Sequence, residues 1–268
     1  MIKIAVAGVA GKMGRRIADL CLAHEMVKLS GAFETSVNPT IGLDVCVMTG
    51  SKTCGVTISD NISDAMKNSD VLIDFTSIES TLQNARYCAE NKKAIVIGTT
   101  GFSSDQIGII RGLGEKIPIV MAPNMSVGVN LLLKVLAQVA SVLGDEYDIE
   151  IIEAHHRLKK DAPSGTALKM AEVIAKSVNR DLDEVGVYSR KGIIGERTKK
   201  EIGIQTIRAG DIVGEHTVLF GGIGERIEIS HKVSSRDTFA KGAIRAAIWL
   251  GDKTKGFYDM QDVLGLKT

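Results

Sequence analysis

The sequence predicts an α/β protein with a doubly wound parallel sheet first and a central α+β domain with a mixed, largely open sheet after it. In the first half, short apolar runs alternate with longer amphipathic stretches, a pattern typical of parallel strands buried on both faces and joined by crossover helices. The apolar runs predict strands over residues 2–7, 27–33, 56–58, 71–75, 94–97 and 117–121. The amphipathic stretches predict helices over residues 13–23, 81–91 and 103–116.

The pattern changes after residue 126. Polar residues recur every three to four positions through residues 127–143, which predicts an amphipathic helix. Alternating strands and glycine turns follow, with one helix over 164–177 and strands over 149–154, 201–207, 216–220 and 226–231. Residues 237–250 return to helix and carry Trp249, so we expect this segment to pack back on the first domain. The predicted domains are therefore residues 1–126, completed by 237–268, and residues 127–236.

Composition argues against several classes of protein. The 33 Lys and Arg nearly cancel the 32 Asp and Glu, and a net charge of +1 gives no overall field to attract nucleic acid or an acidic membrane. Prolines and asparagines interrupt the longest uncharged stretch, residues 117–133, so we predict no transmembrane helix and a cytoplasmic protein. The spacing of the four cysteines fits buried free thiols better than metal ligands, and no metal is expected. They are Cys21, Cys46, Cys54 and Cys88.

A glycine-rich turn links the first predicted strand to the first predicted helix. Its sequence, GVAGKMG over residues 8–14, lets backbone amides approach a pyrophosphate at the helix N-terminus. The spacing is G-x-x-G-x-x-G rather than the commoner G-x-G-x-x-G, and a turn that only packs helix on strand remains the alternative. The cofactor-binding residues predicted here are Gly8, Val9, Ala10, Gly11, Lys12 and Met13.

Three further strand ends support a dinucleotide site. Glu34 ends the second strand, where a carboxylate accepts hydrogen bonds from ribose hydroxyls; a solvated strand end is the alternative. Small residues end two later strands at the carboxyl edge of the sheet, which permits a ligand to approach closely. These predicted cofactor-binding residues are Gly98, Thr99 and Thr100, and then Ala122, Pro123, Asn124 and Met125.

A basic cluster marks the second domain. Residues 155–160, HHRLKK, place five basic side chains within six positions, which favours a small anionic substrate over a solvated face. Extended backbone would put His155 and Lys159 on one face, and a helical turn would also bring them together. The loop that follows enters a helix at Ser164, whose first amides are suited to a carboxylate. Zinc is disfavoured because the adjacent His155 and His156 point apart and lack a third ligand nearby.

These segments together resemble the bacterial dihydrodipicolinate reductase family over almost the whole chain. The matching motifs are EAHHRLKKDAPSGTA at 153–167, the turn over 6–14, and the segments 98–102, 124–130, 208–216 and 231–236. The resemblance implies a Rossmann-like domain completed by the C-terminal helix, and a central domain that binds substrate and builds a homotetramer. It also implies NADH- or NADPH-dependent reduction of 4-hydroxy-2,3,4,5-tetrahydrodipicolinate, a small cyclic dicarboxylate, in lysine and diaminopimelate biosynthesis.

The resemblance further implies residue roles. His155 and Lys159 are the proton-handling pair, with Lys159 the donor, and His156, Gly165 and Thr166 grip carboxylates. Protonation is needed because a hydride added to a conjugated imine leaves electron density on the ring. Arg236 is a weaker candidate for the second carboxylate, with a salt bridge as its alternative role.

Two departures from the family pattern bear on the cofactor. Thr35 follows Glu34 where many relatives place an arginine against the adenosine 2′-phosphate, so we expect dual use or NADH preference unless Lys12, Arg15 or Arg16 supplies that charge. Ser77 stands where relatives often carry arginine. The rival hypothesis is a nicotinamide-sensing regulatory protein without catalysis; another aspartate-pathway dehydrogenase would not explain the paired histidines.

Overall fold

Among residues 1–50 and 53–267, which the computed structural model describes, the chain folds into twelve strands and ten α-helices. The strands are β1 (Ile2–Ala7), β2 (Val27–Phe33), β3 (Ile58–Ser59), β4 (Val71–Asp74), β5 (Ala94–Ile97), β6 (Pro118–Met121), β7 (Asp148–His155), β8 (Gly186–Val187), β9 (Ile202–Arg208), β10 (Gly214–Gly221), β11 (Arg226–Val233) and β12 (Gly256–Tyr258). The helices are α1 (Lys12–Leu22), α2 (Val45–Thr49), α3 (Ile62–Met66), α4 (Ile78–Glu90), α5 (Ser104–Leu113), α6 (Val127–Leu143), α7 (Gly165–Ser177), α8 (Leu182–Val185), α9 (Asp237–Leu250) and α10 (Met260–Val263).

The chain divides into two units. The first consists of Met1–Val127 and Asp237–Thr268, and the second of Gly128–Arg236. The first unit carries a seven-stranded sheet in the order β12-β6-β5-β4-β1-β2-β3, with every neighbouring pair parallel. The predicted doubly wound parallel sheet is thereby confirmed, and its crossovers place the carboxyl ends of these strands at one edge.

Alternate residues of the central strands enter two separate cores. In β1, Ile4 and Val6 face one core, whereas Ala5 and Ala7 face the other. Residues on a strand point alternately to opposite faces, so a strand covered on both sides must be apolar throughout. This explains why the continuous apolar runs, rather than an alternating pattern, predicted these strands correctly.

Helix α9 closes one face of the first sheet, as the sequence predicted. Ala240, Ala243 and Ala247 lie fully buried in the core that β1 also enters. The short side chains allow close approach: a Cβ on Gly242 would stand 1.8 Å from the Met125 carbonyl oxygen. The strand β12 that follows α9 pairs with β6 and was not predicted, because three half-buried residues give too short a periodic signal.

The second unit contains a five-stranded mixed sheet in the order β11-β10-β7-β9-β8. Strand β10 is antiparallel to both β7 and β11, whereas β7, β9 and β8 run parallel. Residues of α6 and α7 pack with Ile149, Ile151 and Phe220 in the core of this unit. One face of the sheet is covered in this way, which agrees with the predicted mixed and largely open sheet.

Helix α6 bears on the expectation that the chain contains no transmembrane helix. With the turn that follows, Val127–Glu146 is long and apolar enough to cross a bilayer by length and composition, with a mean hydropathy of 1.7 and 28% of the window buried. No other span of the described residues passes that test. Leu132, Leu136 and Ala140 pack into the core of the second unit, and a core helix of a globular protein has the same character.

Candidate active site

The glycine-rich turn after β1 has the backbone geometry that its sequence predicted. Gly8 adopts φ +62°, a region that other residues rarely occupy, and its N–H donates to the Phe33 carbonyl at 3.0 Å. A Cβ on Gly14 would stand 2.1 Å from the Gly8 carbonyl oxygen. The turn and the first turn of α1 therefore approach each other as closely as the backbone permits.

The start of α1 fits a phosphate group. Gly11 precedes the helix without a side-chain cap, and the first turn contains no acidic residue. By contrast, serine side chains cap α4, α5 and α7. Amides at an uncapped helix start, together with the helix dipole, favour an anion, so this turn fits the pyrophosphate of a dinucleotide.

Glu34 lies against the same turn. Its carboxylate accepts the Ala10 N–H at 2.8 Å and the Thr35 N–H at 3.2 Å. The predicted residues from Gly8 to Met13 and Glu34 are therefore brought together at one strand edge. Val9 is fully buried in the core, so it offers only backbone groups to a ligand.

The other two predicted loops end β5 and β6 at this same edge. A Cβ on Gly98 would stand 2.1 Å from a ring atom of Phe75, so glycine is required there. Thr99 is buried with its hydroxyl 2.9 Å from that of Thr81, whereas Thr100 is exposed.

The loop after β6 turns around Asn124. Its side chain accepts the Ser126 N–H at 2.9 Å, and the Ala122 N–H donates to the Ile97 carbonyl at 3.2 Å. Pro123 is exposed, whereas Met125 is buried in the core. As with Val9, the backbone of Met125 is the part suited to contact a ligand.

A buried carboxylate that the sequence analysis did not select supports the β5 loop. Asp74, at the end of β4, accepts hydrogen bonds from Thr76, Thr81 and the side-chain amide of Asn84. Because Thr81 also contacts the Thr99 hydroxyl, this network holds the position of Thr99.

One of the three basic residues considered for the cofactor charge has an acidic partner within the first unit. Arg16 forms a paired contact with Asp237, with Nε at 2.5 Å from Oδ1 and Nη2 at 2.6 Å from Oδ2. The hydrogen bond to Asp237 raises the pKa of Arg16. Its guanidinium thus joins α1 to α9, which leaves Lys12 and Arg15 as the basic residues of the first turns that are candidates to face a 2′-phosphate.

In the second unit, β7 presents two ionisable side chains on its covered face. Burial alternates along the strand, so Glu153 and His155 follow Ile149 and Ile151 into the interior. Glu153 is fully buried. A buried carboxylate is costly unless it is paired and hydrogen-bonded, so its partners define the site.

Glu153 connects β7, β9 and the start of α7. Its oxygens lie 2.5 Å from His155 Nδ1 and accept the Ser164 N–H at 3.0 Å and the Thr206 hydroxyl at 3.2 Å. The two terminal nitrogens of Arg208 each donate to one carboxylate oxygen at 2.9 Å. Burial alone would raise the pKa of Glu153, but the bonds from Arg208, His155 and Ser164 outweigh it and lower that pKa. Glu153 is therefore held as an anion.

His216 on β10 lies beside this network. Its Nε2 is 3.0 Å from the Ser164 hydroxyl, and its ring meets the His155 ring edge-on at 5.2 Å between centroids. Burial, followed by the charge of His155, lowers the pKa of His216 to about 4. His216 is therefore neutral at physiological pH.

The basic segment is neither extended nor helical, contrary to both alternatives considered from sequence. After β7 ends at His155, the backbone turns, and the Lys159 N–H donates to the His156 carbonyl at 3.1 Å. Lys159 Nζ contacts the Asp161 carboxylate at 2.8 Å, and this hydrogen bond lowers the pKa of Asp161. Arg208 donates to the Asp161 carbonyl at 2.7 Å, so Lys159 and His155 are linked through Arg208 and Glu153.

The predicted carboxylate-binding residues lie at the start of α7. Ser164 caps this helix by accepting the Ala167 N–H at 3.2 Å, and Gly165 and Thr166 form its first turn, which has no acidic residue. Nδ1 of His156 is buried without a hydrogen-bond partner among the described residues. Helix amides and an unpaired imidazole nitrogen are both suited to hold carboxylates.

The sequence analysis did not identify Glu153, Arg208 or His216 as functional residues. A signal existed for Glu153, because it stands two residues from His155 on the apolar face of an alternating strand. Arg208 and His216 carry no such local signal. They meet the site because strand register pairs Arg208 with His155 and His216 with Glu153 across the sheet.

The fold and these two groups of residues define a nicotinamide-dependent oxidoreductase of the Rossmann type, with its polar acid–base cluster in a second unit. Two family models cover almost the whole chain: "Dihydrodipicolinate reductase, N-terminus" matches residues 2–125, and "Dihydrodipicolinate reductase, C-terminus" matches residues 128–264. The chain belongs to the dihydrodipicolinate reductase family, as its motifs indicated.

Individual relatives agree with the family models. The chain is 54% identical over 268 residues to a 4-hydroxy-tetrahydrodipicolinate reductase of Syntrophus aciditrophicus, covering 100% of both chains. It is 53% identical over 268 residues to the protein of that name in Geobacter sulfurreducens, again with full coverage. It also resembles the structure of a dipicolinate-bound dihydrodipicolinate reductase from a Paenisporosarcina species, with a TM-score of 0.77, 26% identity and 98% of each chain covered.

Proposed function

We propose that this chain reduces 4-hydroxy-2,3,4,5-tetrahydrodipicolinate to 2,3,4,5-tetrahydrodipicolinate with NADH or NADPH, in lysine and diaminopimelate biosynthesis. The observation that carries the proposal is the buried Glu153–His155 pair, which the Ser164 N–H connects to the start of α7. Full-length relatives at more than half identity bear the name of this activity, and one structural relative binds dipicolinate, a cyclic dicarboxylate.

The proposed division of labour follows the two units. Residues 8–13 and Glu34, with the loops after β5 and β6, hold the dinucleotide. When bound, the dihydronicotinamide supplies the hydride. The 4-hydroxy compound first loses water to give a conjugated imine. This imine then accepts the hydride and one proton. The residues of the second unit therefore have to bind two carboxylates and deliver a proton.

Proton delivery falls to Lys159 and His155. Glu153 occupies Nδ1 of His155, which leaves Nε2 as the ring nitrogen available for exchange. Lys159 has an ammonium with three donors and lies on the turn next to His155, so it is the proposed donor to the ring. Asp161 orients its Nζ until substrate arrives.

Carboxylate binding falls to the start of α7. The amides of Gly165 and Thr166 lie at the N-terminus of α7, whose first turn carries no acidic group. His156 supplies a further polar atom, its Nδ1. Arg236 is retained as a candidate for the second carboxylate.

The proposed cofactor preference is NADH, or equal use of both cofactors. Thr35 supplies no charge beside Glu34, and Asp237 engages Arg16. A carboxylate at position 34 also repels a 2′-phosphate. The ratio of kcat/KM for NADH to that for NADPH, measured with wild type and with Lys12→Gln, tests this point.

The reaction itself is tested in an assay coupled to the preceding enzyme. With substrate generated from pyruvate and aspartate semialdehyde by the preceding synthase, the wild type should consume NADH or NADPH. The double variant His155→Gln/Lys159→Gln should lose ~10²–10⁴-fold in turnover while its affinity for NADH stays the same. Lys160→Gln, a change at an exposed neighbour, is the matched control and should retain activity.

The non-catalytic sensor predicts the opposite outcome. Protein that binds NADH tightly but consumes neither cofactor would contradict the reductase proposal. Unaltered function in the double variant His155→Gln/Lys159→Gln would also contradict the reductase proposal.

We also propose a cytoplasmic homotetramer without nucleic-acid or membrane partners. Supporting the assembly, the open face of the second sheet carries Ile152 and Ile207, which are 37% and 46% exposed. Light scattering during size-exclusion chromatography should give four times the chain mass, and Ile207→Glu should reduce it. A wild-type mass equal to one chain would contradict the tetramer.

A further inference from the structure

Two cysteines meet in the segment between β2 and β3. Cys46 lies in the first turn of α2 and Cys54 in the loop that follows it. The two sulfur atoms and one carboxylate oxygen of Asp44 all lie within 4.8 Å of one another. Neither cysteine is in a disulfide. Cys54 is half-buried, which corrects the expectation that all four thiols are buried.

Asp44 organises this segment and is poorly available as a metal ligand. Its Oδ1 accepts the N–H groups of Cys46 at 2.9 Å and Cys54 at 3.2 Å, and the Cys54 thiol at 3.3 Å. Its Oδ2 accepts the Gly55 N–H at 2.8 Å. These bonds, led by that of Cys46, lower the pKa of Asp44 to about 2. With the carboxylate so engaged, two thiols remain, which is too few for a four-ligand zinc site.

The two thiols differ in access. Cys46 is 2% exposed, and burial, assisted by the adjacent Cys54 and Asp44, raises its pKa to about 12. Cys54 lines a cavity of about 290 Å³ whose wall includes Lys3 and Lys28. A small oxidant therefore reaches Cys54 first, and two ammonium groups on the same wall favour an oxidant that carries carboxylates.

We propose that Cys46 and Cys54 form a redox-active dithiol that a low-molecular-weight disulfide bearing carboxylates, of the glutathione disulfide class, converts to an intramolecular disulfide. This proposal does not depend on the reductase activity. It assigns Cys54 as the attacking residue and Cys46 as the resolving residue.

The exchange is balanced in two steps. The Cys54 sulfur attacks one sulfur of the small disulfide, forms a mixed disulfide and releases one small thiol, which takes the proton that Cys54 loses. The Cys46 sulfur then attacks Cys54 in the mixed disulfide, forms the Cys46–Cys54 bond and releases the second small thiol, which takes the proton of Cys46. The protein loses two electrons and two protons, and one disulfide becomes two thiols.

Bond formation requires the two sulfur atoms to come closer than they lie in the reduced protein. A disulfide requires them at ~2 Å, so one side must shift. Gly50 and Gly55 flank this part of the loop with φ of +73° and +75°, and a Cβ on either would meet nothing within 4 Å. The high pKa of Cys46 makes the disulfide slow to form but stable once formed, because dithiols of low pKa are the ones that favour reduction.

The test is thiol mapping of the full chain. Reduced protein is incubated with glutathione disulfide, denatured and alkylated, and its peptides are identified by mass spectrometry. We expect a peptide pair linked through Cys46 and Cys54, while Cys21 and Cys88 remain alkylated. Recovery of four alkylated cysteines, or a final product with glutathione on Cys54, would overturn the proposal. Thiols protected until a chelator is added would overturn it in favour of a metal site.

Two variants and a second oxidant test the assigned roles. Cys46→Ser should accumulate glutathione on Cys54, whereas Cys21→Ser, the control, should form the same disulfide as wild type. At low ionic strength, glutathione disulfide should react about tenfold faster than the cationic disulfide cystamine. Lys3→Gln/Lys28→Gln should remove that difference. An unchanged rate ratio would overturn the role of the lysine-lined cavity.

Discussion

In the proposed mechanism, Glu153 determines which nitrogen of His155 is available to exchange a proton. Its carboxylate is buried, anionic and 2.5 Å from Nδ1, so the ring is oriented with Nε2 away from it. Glutamine in its place keeps the shape but loses the charge and one acceptor, and it leaves Arg208 without its counter-ion. A positioning role of this kind is distinct from catalysis, since Glu153 acts through His155.

We therefore expect Glu153→Gln to lower kcat by ~10–100-fold, the usual cost of losing a partner that orients a functional imidazole. The pH profile of kcat should shift, while the affinity for NADH should stay unchanged. Glu172→Gln, at an exposed pair with Lys169, is the control and should match wild type. An unaltered pH profile with a large loss of folded protein would instead indicate a purely structural role.

His216 predicts how stability depends on pH. Its pKa is about 4 in the folded protein and 6.5 as a free side chain, so the unfolded chain binds more protons between these values. The free energy of unfolding should thus fall as the pH is lowered from 6.5 to 4, by about 3 kcal/mol from this group. Above pH 6.5 the group contributes no slope.

Denaturant titrations across this range measure the effect. His216→Gln should show a shallower dependence on pH than wild type, whereas His24→Gln, at an exposed position, should retain the full slope. Equal slopes in wild type and His216→Gln would show that the imidazole is protonated in the folded state.

At the scale of the element, the start of α1 depends on glycine for close contact with the turn before it. A Cβ on Gly14 would stand 2.1 Å from the Gly8 carbonyl oxygen, whereas a Cβ on Gly108 within α5 would meet nothing within 4 Å. Gly14→Ala should cost at least about 2 kcal/mol of stability and weaken NADH binding. Gly108→Ala should stabilise α5 by about 0.5–1 kcal/mol.

Thermal unfolding and fluorescence titration with NADH distinguish the two changes. Gly14→Ala should lose affinity even at temperatures where it remains folded, because the helix start would be displaced. Normal affinity in that variant would argue against a phosphate at this turn.

Elements were predictable where a periodic pattern was long enough. Continuous apolar runs located β5 and most of β1 and β4, because both faces of the first sheet are covered. The pattern could not reveal β12, where Gly256, Phe257 and Tyr258 are only half-buried, nor the turn that carries Lys159. Arg208, on β9, donates to the Asp161 carbonyl at the end of that turn, and a local pattern does not encode this long-range contact.

For the candidate site, too, local sequence signals were readable and long-range contacts were not. The glycine-rich turn was evident because its residues are contiguous and Gly8 needs a left-handed backbone. The partners of His155 were not evident, since Arg208 and His216 arrive by strand register over more than fifty residues of sequence. Glu153 was within reach of the alternation rule, which places it beside His155 on the buried face.

At the scale of the whole molecule, α9 completes a core formed by segments far away in sequence. Ala247 is fully buried there, whereas Arg245 on the same helix is exposed. Ala247→Asp should cost about 3–5 kcal/mol because the carboxylate would be buried without a partner. Arg245→Asp should leave stability nearly unchanged.

Limited proteolysis with mass spectrometry shows which unit is affected. We expect early cleavage of Ala247→Asp within residues 1–127 and a loss of NADH binding, while residues 128–236 stay resistant. Uniform cleavage throughout the chain would show instead that the two units unfold together.

The insertion of residues 128–236 between two parts of the first unit also governs the order of events during synthesis. As the chain leaves the ribosome, β1 to β6 appear first but lack the helix that covers one face of their sheet. The second unit, whose sequence is continuous, is complete before α9 appears. The nascent chain therefore passes through a period in which an apolar sheet face is exposed, and the core of the first unit is completed only after α9 has emerged.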